Sequence, residues 1–188
     1  MIIVGITGPS CSGKTTIARI AAQLLNTELV HADKHHIKDA KRPIVNGYPS
    51  YERPDQYDMD AALKYAQSTP KKHIICIEGF HLFNNINMLD ATDLRYYVDV
   101  PFNICLQRRQ QRSQQQSYDG VWEGGARPDI DAGFIAHGEE EWNNFGAPQQ
   151  HVEGCIILDG TIDPMVNAKR IVADVLRFTE PPITSHLK

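Results

Sequence analysis

The eight residues from 8 to 15 constrain the fold of this 188-residue chain more than any other stretch. They read G-P-S-C-S-G-K-T, which fits the pattern G-x-x-x-x-G-K-T of a phosphate-binding loop. Residues 2–7 are apolar and β-branched, which predicts a buried strand just before the loop. Residues 16–25 follow it with apolar side chains at helical spacing. The motif therefore lies in the strand–loop–helix context that its chemistry requires.

The residue types of this loop suit the binding of a nucleotide. Gly8 and Gly13 permit close approaches that a Cβ atom would block, so the loop can turn its N–H groups toward phosphate oxygens. The next helix points the positive end of its dipole at the same anion. Lys14 is expected to reach the β- and γ-phosphates, and Thr15 to offer its hydroxyl to Mg²⁺. The other residues expected to contact ATP here are Ser10, Cys11, Ser12 and Thr16.

Length and charge limit the remaining classes of function. The chain suits a single domain, which we place over residues 1–188. A net charge of −4 gives no reason to expect a nucleic-acid partner. No apolar run reaches the ~20 residues of a membrane span, and the N-terminus lacks the pattern of a secretory signal. We therefore expect a small-molecule partner, and the oligomeric state stays open.

The cysteines indicate a reducing compartment. The chain has four, Cys11, Cys76, Cys105 and Cys155, which are widely spaced and form no C-x-x-C pair. Cys76 and Cys155 fall in apolar, strand-like runs that are typical of core positions. Reduced thiols and a cytoplasmic location are the simplest expectation.

Alternating apolar runs predict the architecture. Further strands are predicted at residues 28–32, 74–77, 95–100 and 155–158. Helices are predicted at residues 59–66, 101–112, 130–145 and 163–178. This order favours an α/β fold, a three-layer sandwich of the P-loop NTPase type. We expect a mostly parallel five-stranded sheet with helices on both faces, and a helical lid.

Three segments break this alternation. Residues 34–58 show little periodicity and carry several prolines, which predicts a substrate-binding loop. Its tyrosines, Tyr48, Tyr51 and Tyr57, could stack on a flat substrate ring or pack within the loop. Residues 118–131 are rich in glycine and predict a loop within a lid over residues 107–135. Residues after 179 predict a tail.

Acidic side chains stand where two predicted strands end. Asp33 follows the second strand and Glu78 follows the strand at 74–77. Ligands of parallel sheets bind beyond the carboxyl ends of the strands, so either acid could reach Mg²⁺ or a substrate hydroxyl. A helix cap is the alternative for each. We favour Asp33 as a catalytic base, with Lys14 at the phosphates and Glu78 in support.

Basic side chains form two further groups. Arg108, Arg109 and Arg112 lie on one predicted helix, with Arg108 and Arg112 on the same face. They could close over the phosphates as part of a lid, or form a solvated basic face. His31, His35 and His36 could suggest zinc, but the usual set of ligands and spacings is incomplete.

Several motifs together carry a resemblance to a known family. They are G-I-T-G-P-S-C-S-G-K-T-T at 5–16, Asp33 after the second strand, Q-Y-D at 56–58, I-E-G-F-H-L-F-N-N at 77–85, Arg108-Arg109-x-x-Arg112 and L-D-G-T at 158–161. With them the chain resembles the uridine kinase–like P-loop kinases, and within these the nicotinamide riboside kinases. The combination of E-G-F-x-L-F-N with Q-Y-D is the more specific part.

The resemblance implies a reaction and its catalytic groups. It implies transfer of the γ-phosphoryl group of ATP to the 5′-hydroxyl of nicotinamide riboside, giving nicotinamide mononucleotide, with Mg²⁺ as cofactor. Asp33 matches the proposed base and metal-associated acid of the family. Thr15, Asp33 and Glu78 are the expected metal group.

The resemblance also assigns binding residues. Tyr57 and Asp58 match the positions that hold the nicotinamide ring and the ribose hydroxyls, and Arg109 matches a substrate-side lid residue. On the ATP side, the matching residues are Arg108, Arg112, Asp159, Gly160 and Thr161. Lys34, His35 and His36 stand where the family commonly has an acid and two aromatic residues, so the choice of riboside stays open.

Other readings remain beside this one. Uridine, cytidine or another riboside is the alternative substrate within the same class, and GTP is an alternative donor. A signalling GTPase would normally carry D-x-x-G and N-K-x-D, and a transporter-type ATPase would carry L-S-G-G-Q; the sequence has none of these. A family member that binds ribosides without turnover is a further alternative, because of His35 and His36.

Overall fold

The computed structural model describes residues 1–69, 73–114 and 128–179. Its strands are β1 (Ile2–Thr7), β2 (Glu28–His31), β3 (Ile44–Val45), β4 (Tyr48–Pro49), β5 (Ile74–Glu78), β6 (Leu94–Asp99) and β7 (Cys155–Asp159). Its helices are α1 (Lys14–Leu24), α2 (Met59–Ser68), α3 (Ile86–Ala91), α4 (Phe102–Gln114), α5 (Pro128–Glu141) and α6 (Pro164–Thr179). Within the described ranges, no helix combines the length and apolar character needed to cross a membrane.

The main sheet is parallel and has five strands in the order β2-β5-β1-β6-β7. The connection from β1 to β2 and the connection from β5 to β6 run to opposite sides of β1. The sheet therefore has its topological switch point at the carboxyl end of β1, where parallel sheets bind their ligands. The phosphate loop begins at this point, directly after β1. The predicted sheet is confirmed.

Helices cover both faces of this sheet. On one face α1 packs against α6, and Ile17 and Ile171 are buried with Val4 of β1. On the opposite face α2 and α3 enclose a second core that contains Ile3 and Met88. Successive side chains of β1 point to opposite faces, so Ile3 and Val4 each join a different core. The predicted three-layer α/β/α sandwich is confirmed.

Residues 34–58 contain more regular structure than predicted. β3 and β4 form an antiparallel hairpin around Asn46 and Gly47, whose φ angles are 50° and 83°. An Asn-Gly pair favours a two-residue hairpin turn because both residues tolerate positive φ. The ends of the segment also pair, since the Ile37 amide donates to the Gln56 carbonyl at 2.9 Å. The segment is a closed loop with a hairpin in it.

The helical predictions need corrections at α3 and α5. The six-residue helix α3 was not expected; Asn85 caps it by accepting a hydrogen bond from the Met88 amide at 2.8 Å. α5 begins at Pro128 rather than at residue 130, because proline suits the first turn of a helix. It gives way at Trp142 to a π-helical turn, where the indole ring lies over Gly146.

Two predicted segments lie partly or wholly outside the residues that the structure describes. The glycine-rich loop predicted over 118–131 lies outside the described residues as far as 127, and its last four residues belong to α5 instead. The predicted tail, residues 180–188, also lies outside the described part of the chain. The four cysteines are free thiols, with Cys76 and Cys105 buried.

Gly160, directly after β7, packs closely against the phosphate loop. The Gly160 amide donates to the Asp99 carbonyl at 2.9 Å. A Cβ atom on Gly160 would lie 2.4 Å from a Val100 methyl group and 2.7 Å from the Ser12 carbonyl oxygen. Such distances are too short for a real side chain, so glycine is required for this close approach of two backbones.

We expect Gly160→Ala to lower the free energy of unfolding by about 1–3 kcal/mol, the usual cost of overpacking. The change should also weaken nucleotide binding, because the added methyl group pushes on the phosphate loop. Gly154→Ala is the control, since its φ of 72° strains any side chain but its nearest neighbour is 3.7 Å away. Unfolding and nucleotide titrations measure both effects. An unchanged nucleotide affinity in Gly160→Ala would contradict the proposed coupling.

Candidate functional site

The phosphate loop has the backbone conformation that turns amides inward. Gly13 and Cys11 have positive φ angles of 97° and 65°. A Cβ atom on Gly8 would lie 2.7 Å from the Val98 carbonyl oxygen, so a side chain cannot be accommodated there. Gly13 caps α1 without a side-chain hydrogen bond to the first helical amides. These amides and the helix dipole can therefore bind an anion.

Lys14 lies beneath this loop. Its side chain is largely buried, and Nζ lies 3.5 Å from the Pro9 carbonyl oxygen. The ammonium group also lies 5.5 Å from the centre of the Phe80 ring, a cation–π distance. The phosphate loop therefore holds the Lys14 side chain. Its ammonium group lies where the motif predicts contact with a bound phosphate.

Thr15, Glu78 and His31 form a chain of polar contacts beside Lys14. The Thr15 hydroxyl donates to Glu78 Oε2 at 3.0 Å. The other carboxylate oxygen, Oε1, lies 2.6 Å from His31 Nδ1, and the Glu78 side chain is fully buried. Octahedral Mg²⁺ binds oxygens at about 2.1 Å, which separates adjacent ligands by about 3 Å. The Thr15 and Glu78 oxygens therefore fit two adjacent positions around Mg²⁺, and His31 orients the carboxylate.

Asp33 faces the same point from the end of β2. Its Oδ1 accepts a hydrogen bond from the Phe80 amide at 2.9 Å. Burial raises the pKa of Asp33 to about 6, although the positive charge of Lys14 lowers it, and the negative charge of Glu78 raises it further. A carboxyl group with a pKa of about 6 can accept a proton near neutral pH. Asp33 and Glu78, at the carboxyl ends of β2 and β5, are thus brought together with Lys14, at the N-terminus of α1.

The arginines of α4 contact the phosphate loop. Arg108 donates to the Cys11, Ser12 and Gly160 carbonyl oxygens at 3.3, 3.1 and 3.0 Å. It bridges the phosphate loop and the loop after β7. Arg112 lies one turn further along α4 and is half-buried.

Arg109 points to the other side of the phosphate loop. Its Nε lies 2.5 Å from Asp131 Oδ1, and its Nη1 donates to the Ser10 hydroxyl at 2.8 Å. Its guanidinium group also lies 5.0 Å from the Phe134 ring centre. Arg109 therefore joins α4, α5 and the phosphate loop, and it is buried rather than solvated.

The predicted substrate loop contributes Tyr57 and His36. The Tyr57 hydroxyl donates to the Tyr51 carbonyl at 3.1 Å, and the edge of the His36 ring meets Tyr57 at 5.4 Å. Arg42 lies over the Tyr51 ring and within 3.0 Å of His36 Nε2. Burial raises the pKa of Tyr57 well above its ordinary value, and the charges of Asp33 and Glu52 add to this effect. Tyr57 therefore lies on the Asp33 side of the site.

Other predicted residues do not converge on this point. Asp58 is exposed and caps α2, because its Oδ1 accepts from the Ala61 amide at 2.8 Å. His35 packs 5.9 Å from the exposed ring of Tyr65. Lys34 and Thr16 are exposed, as is Tyr48.

The loop after β7 forms a separate part of the rim. Asp159 Oδ1 accepts hydrogen bonds from the Thr161 amide and hydroxyl at 2.8 and 2.5 Å, which lowers the pKa of Asp159. Both residues line a groove of about 640 Å³, together with Asp99 and Pro101. Gly160 links this groove to Arg108.

Two residues near the site, Glu52 and His81, were not predicted from the sequence. Glu52 is only 6% exposed, and burial raises its pKa to about 7, although the charges of Arg109 and Lys14 oppose this. His81 is fully buried, and its Nε2 lies 3.0 Å from the Glu52 carbonyl oxygen. An acid in an aperiodic loop normally indicates a solvated position, so the sequence gives no signal for Glu52. His81 could have been noticed as a polar residue in the apolar run E-G-F-H-L-F.

Comparisons with known proteins agree with this geometry. Residues 4–123 match a family model described as an AAA domain. The nicotinamide riboside kinase of Schizosaccharomyces pombe is 24% identical over 163 residues, which cover 65% of this chain and 71% of that protein. The uridine kinase of Limosilactobacillus reuteri is 24% identical over 192 residues, which cover 85% of this chain and 84% of that protein. The resemblance inferred from the motifs is confirmed.

A solved structure shows the same fold. A sugar kinase from Janibacter sp. HTCC2649 superposes with a TM-score of 0.56 at 18% identity, over 94% of this chain and 93% of its own. The fold class is therefore the P-loop NTPase type.

We expect Glu52→Gln to stabilise the protein at high pH. Between pH 4.5 and about 7 the unfolded chain releases the Glu52 proton while the folded protein retains it, so native stability falls as the pH rises. Above pH 7 the charge costs on the order of 3 kcal/mol. Thermal melting at pH 8 should show the variant roughly 5 °C or more above wild type, and the two should converge toward pH 4.5.

Glu141→Gln is the matched control for this measurement. Glu141 is also buried, but it accepts hydrogen bonds from the Ser50 hydroxyl at 2.5 and 2.7 Å and lies 3.0 Å from His137 Nδ1. Its replacement should lower the melting temperature, because a satisfied network is broken. A Glu52→Gln protein that melts below wild type at pH 8 would contradict our account of Glu52.

Proposed function

This chain belongs to the AAA-domain family, and on that premise we propose that it is an ATP-dependent riboside kinase. Its reaction transfers the γ-phosphoryl group of ATP to the 5′-hydroxyl of nicotinamide riboside, giving nicotinamide mononucleotide. The observation that carries the proposal is the meeting of Lys14, Asp33 and the Thr15–Glu78 pair at the carboxyl end of β1. Phosphoryl transfer needs this combination of phosphate cradle, metal ligands and acceptor-side acid.

The nucleotide side is assigned to the phosphate loop and α4. The amides after Gly13 and the Lys14 ammonium bind the β- and γ-phosphates, and Lys14 stabilises the charge that develops during transfer. We expect Arg108 and Arg112, which lie on α4, to contact the bound nucleotide. The groove beside Asp159 and Thr161 accepts the adenine end of ATP.

Mg²⁺ is the proposed cofactor, with Thr15 and Glu78 as its protein ligands and Asp33 beside it. When bound, the ion would neutralise the charge of the transferred phosphoryl group. His31 holds the Glu78 carboxylate in the orientation that leaves Oε2 facing Thr15. Such outer contacts fix the geometry of metal ligands.

Asp33 is the proposed general base. Its pKa of about 6 leaves it mostly ionised at neutral pH yet basic enough to accept the proton of the 5′-hydroxyl. The hydrogen bond from the Phe80 amide fixes the carboxylate in place. Lys14 lies close enough to lower the pKa of Asp33. The proposed base and the phosphate loop are therefore adjacent.

The acceptor is proposed to bind against Tyr57. The tyrosine ring would stack on the pyridinium ring, which carries a positive charge and is attracted to an aromatic face. We expect Arg109 to contact the acceptor and His36 to border the ring. Asp58 is proposed to accept the ribose hydroxyls from outside this cluster, because it is exposed and caps α2. His35 and Lys34 are proposed to act further out, since one packs on Tyr65 and the other is exposed.

A uridine or cytidine kinase is the second candidate. It is favoured by the uridine kinase of L. reuteri, whose similarity covers 85% of this chain. The similarity to the S. pombe nicotinamide riboside kinase supports nicotinamide riboside as the acceptor, and we propose a role in NAD biosynthesis on that basis. We propose a cytoplasmic enzyme, because the free cysteine thiols suit a reducing compartment. A binding protein without turnover remains the candidate from another class.

A panel of ribosides with ATP or GTP and Mg²⁺ tests the proposal. We expect ADP release and a phosphorylated product, with the highest kcat/KM for nicotinamide riboside and ATP. Lys14→Ala should abolish turnover because the charge on the γ-phosphate is then unopposed, while its melting temperature stays near that of wild type. A folded Lys14→Ala protein with normal activity would overturn the kinase assignment, and preference for uridine would favour the second candidate.

Separate roles are expected for Asp33 and Glu78. Asp33→Asn should lower kcat by about 10²–10⁴-fold, the usual contribution of a general base, with little change in ATP affinity. Glu78→Gln should instead raise the Mg²⁺ concentration needed for half-maximal rate. Steady-state kinetics over a Mg²⁺ titration measure both. If Asp33→Asn loses ATP binding but keeps its rate per bound complex, Asp33 belongs to the nucleotide side.

A further inference from the structure

The short segment 50–53, which we name the Glu52 strap, is fixed to the rest of the site. Its Ser50 hydroxyl donates to both oxygens of Glu141 on α5. Its Tyr51 carbonyl accepts from the Tyr57 hydroxyl at 3.1 Å. Its Glu52 carbonyl lies 3.0 Å from His81 Nε2. These contacts come from three different parts of the fold, so the position of the Glu52 side chain is set by the whole site.

The Glu52 carboxylate has an unusual environment for a buried acid. It is 94% withdrawn from solvent, yet the described residues give it no side-chain hydrogen bond. Arg109, Lys14, Glu141 and Asp33 are the charges close enough to act on it. A buried charge without a direct partner is costly, and buried acids with perturbed pKa values cluster at functional sites.

The cationic side chains near Glu52 already interact with other groups. Arg109 pairs with Asp131 at 2.5 Å and donates to Ser10. Lys14 lies under the phosphate loop, where the nucleotide needs its charge. His81 cannot serve either, because burial lowers its pKa to about 4 and the ring is neutral at physiological pH.

Aromatic rings pack on His81, which contacts the backbone carbonyl of Glu52. The Tyr57 ring lies 6.1 Å from His81, and Phe80 meets His81 edge-on at 4.3 Å. The Tyr57 hydroxyl donates to the carbonyl of Tyr51, the residue before Glu52, and the charge of Glu52 adds to burial and to Asp33 in raising the pKa of Tyr57. An aromatic face beside a buried carboxylate is the combination that attracts a flat cation.

We propose that Glu52 is a substrate-binding residue that pairs with the positive charge of a cationic aromatic ring in the acceptor. This inference rests on the proposed riboside kinase function and names the group that selects its substrate. Asp33 and Glu141 add negative charge around Glu52, which further favours a cation over a neutral ring. His81 is a positioning residue, since it holds the strap through the Glu52 carbonyl.

The test compares two ribosides that differ in ring charge. Nicotinamide riboside is cationic, and its 1,4-dihydro form has the same ribose and carboxamide without the charge. Dissociation constants from calorimetry and kcat/KM values are measured for both compounds with wild type, Glu52→Gln and Glu52→Asp. Glu52→Gln should weaken the cationic riboside by about 10–100-fold, as expected for a charged partner, and the neutral riboside by less than about 3-fold.

Two variants make the result specific. Glu52→Asp keeps the charge and should retain part of the preference for the cation. Glu140→Gln removes an exposed carboxylate of α5 and should leave both ribosides unaffected. Because a purely structural carboxylate would affect the two ribosides alike, the ratio between them separates binding from folding.

The outcomes distinguish this inference from the proposed function. Equal losses for both ribosides in Glu52→Gln would overturn the pairing, because a structural carboxylate or a ligand of the shared ribose affects both compounds alike. A wild-type protein that binds the cation selectively but forms no product would overturn the kinase assignment and support the pairing. A wild-type protein that binds neither riboside would overturn both.

Discussion

The close approach of three backbones is the constraint on which the site depends. Gly8 leaves room for the Val98 carbonyl, and Gly160 leaves room for the Ser12 carbonyl. The phosphate loop is therefore held between the ends of β6 and β7, and Arg108 closes the gap with three hydrogen bonds to backbone oxygens. Because backbone rather than mobile side chains sets these distances, the amides of the loop are oriented before any phosphate binds.

Around this rigid loop lie charged side chains whose polar contacts a bound substrate would complete. Lys14 faces a carbonyl and an aromatic ring, and Glu78 is divided between Thr15 and His31. Asp33 and Glu52 are acids whose pKa values burial raises to about 6 and about 7. The raised pKa values of Asp33 and Glu52 mean that their charged forms cost folding free energy, a cost that active sites commonly carry in exchange for function.

The sequence predicts the scaffold well because periodicity reflects burial. All five strands of the parallel sheet were predicted to within one residue at each end, and Asp33 and Glu78 were placed at their carboxyl ends. The hairpin of β3 and β4 escaped prediction because two-residue strands have no period, although Asn46-Gly47 marks its turn. Glu52 escaped because its burial depends on contacts such as Ser50 with Glu141, 91 residues apart.

This division suggests where the proposed kinase would select its substrate. Under that proposal the parallel sheet and the phosphate loop would bind the nucleotide and serve any acceptor. The groups proposed to meet the acceptor come from the aperiodic segment 34–58 and from the turn after β5, where His81 stands among apolar residues. His81 links the two by contacting the Glu52 backbone, so a change in either segment would shift the other. Specificity in this fold can therefore change by altering a loop and its anchor while the catalytic end of the sheet stays intact.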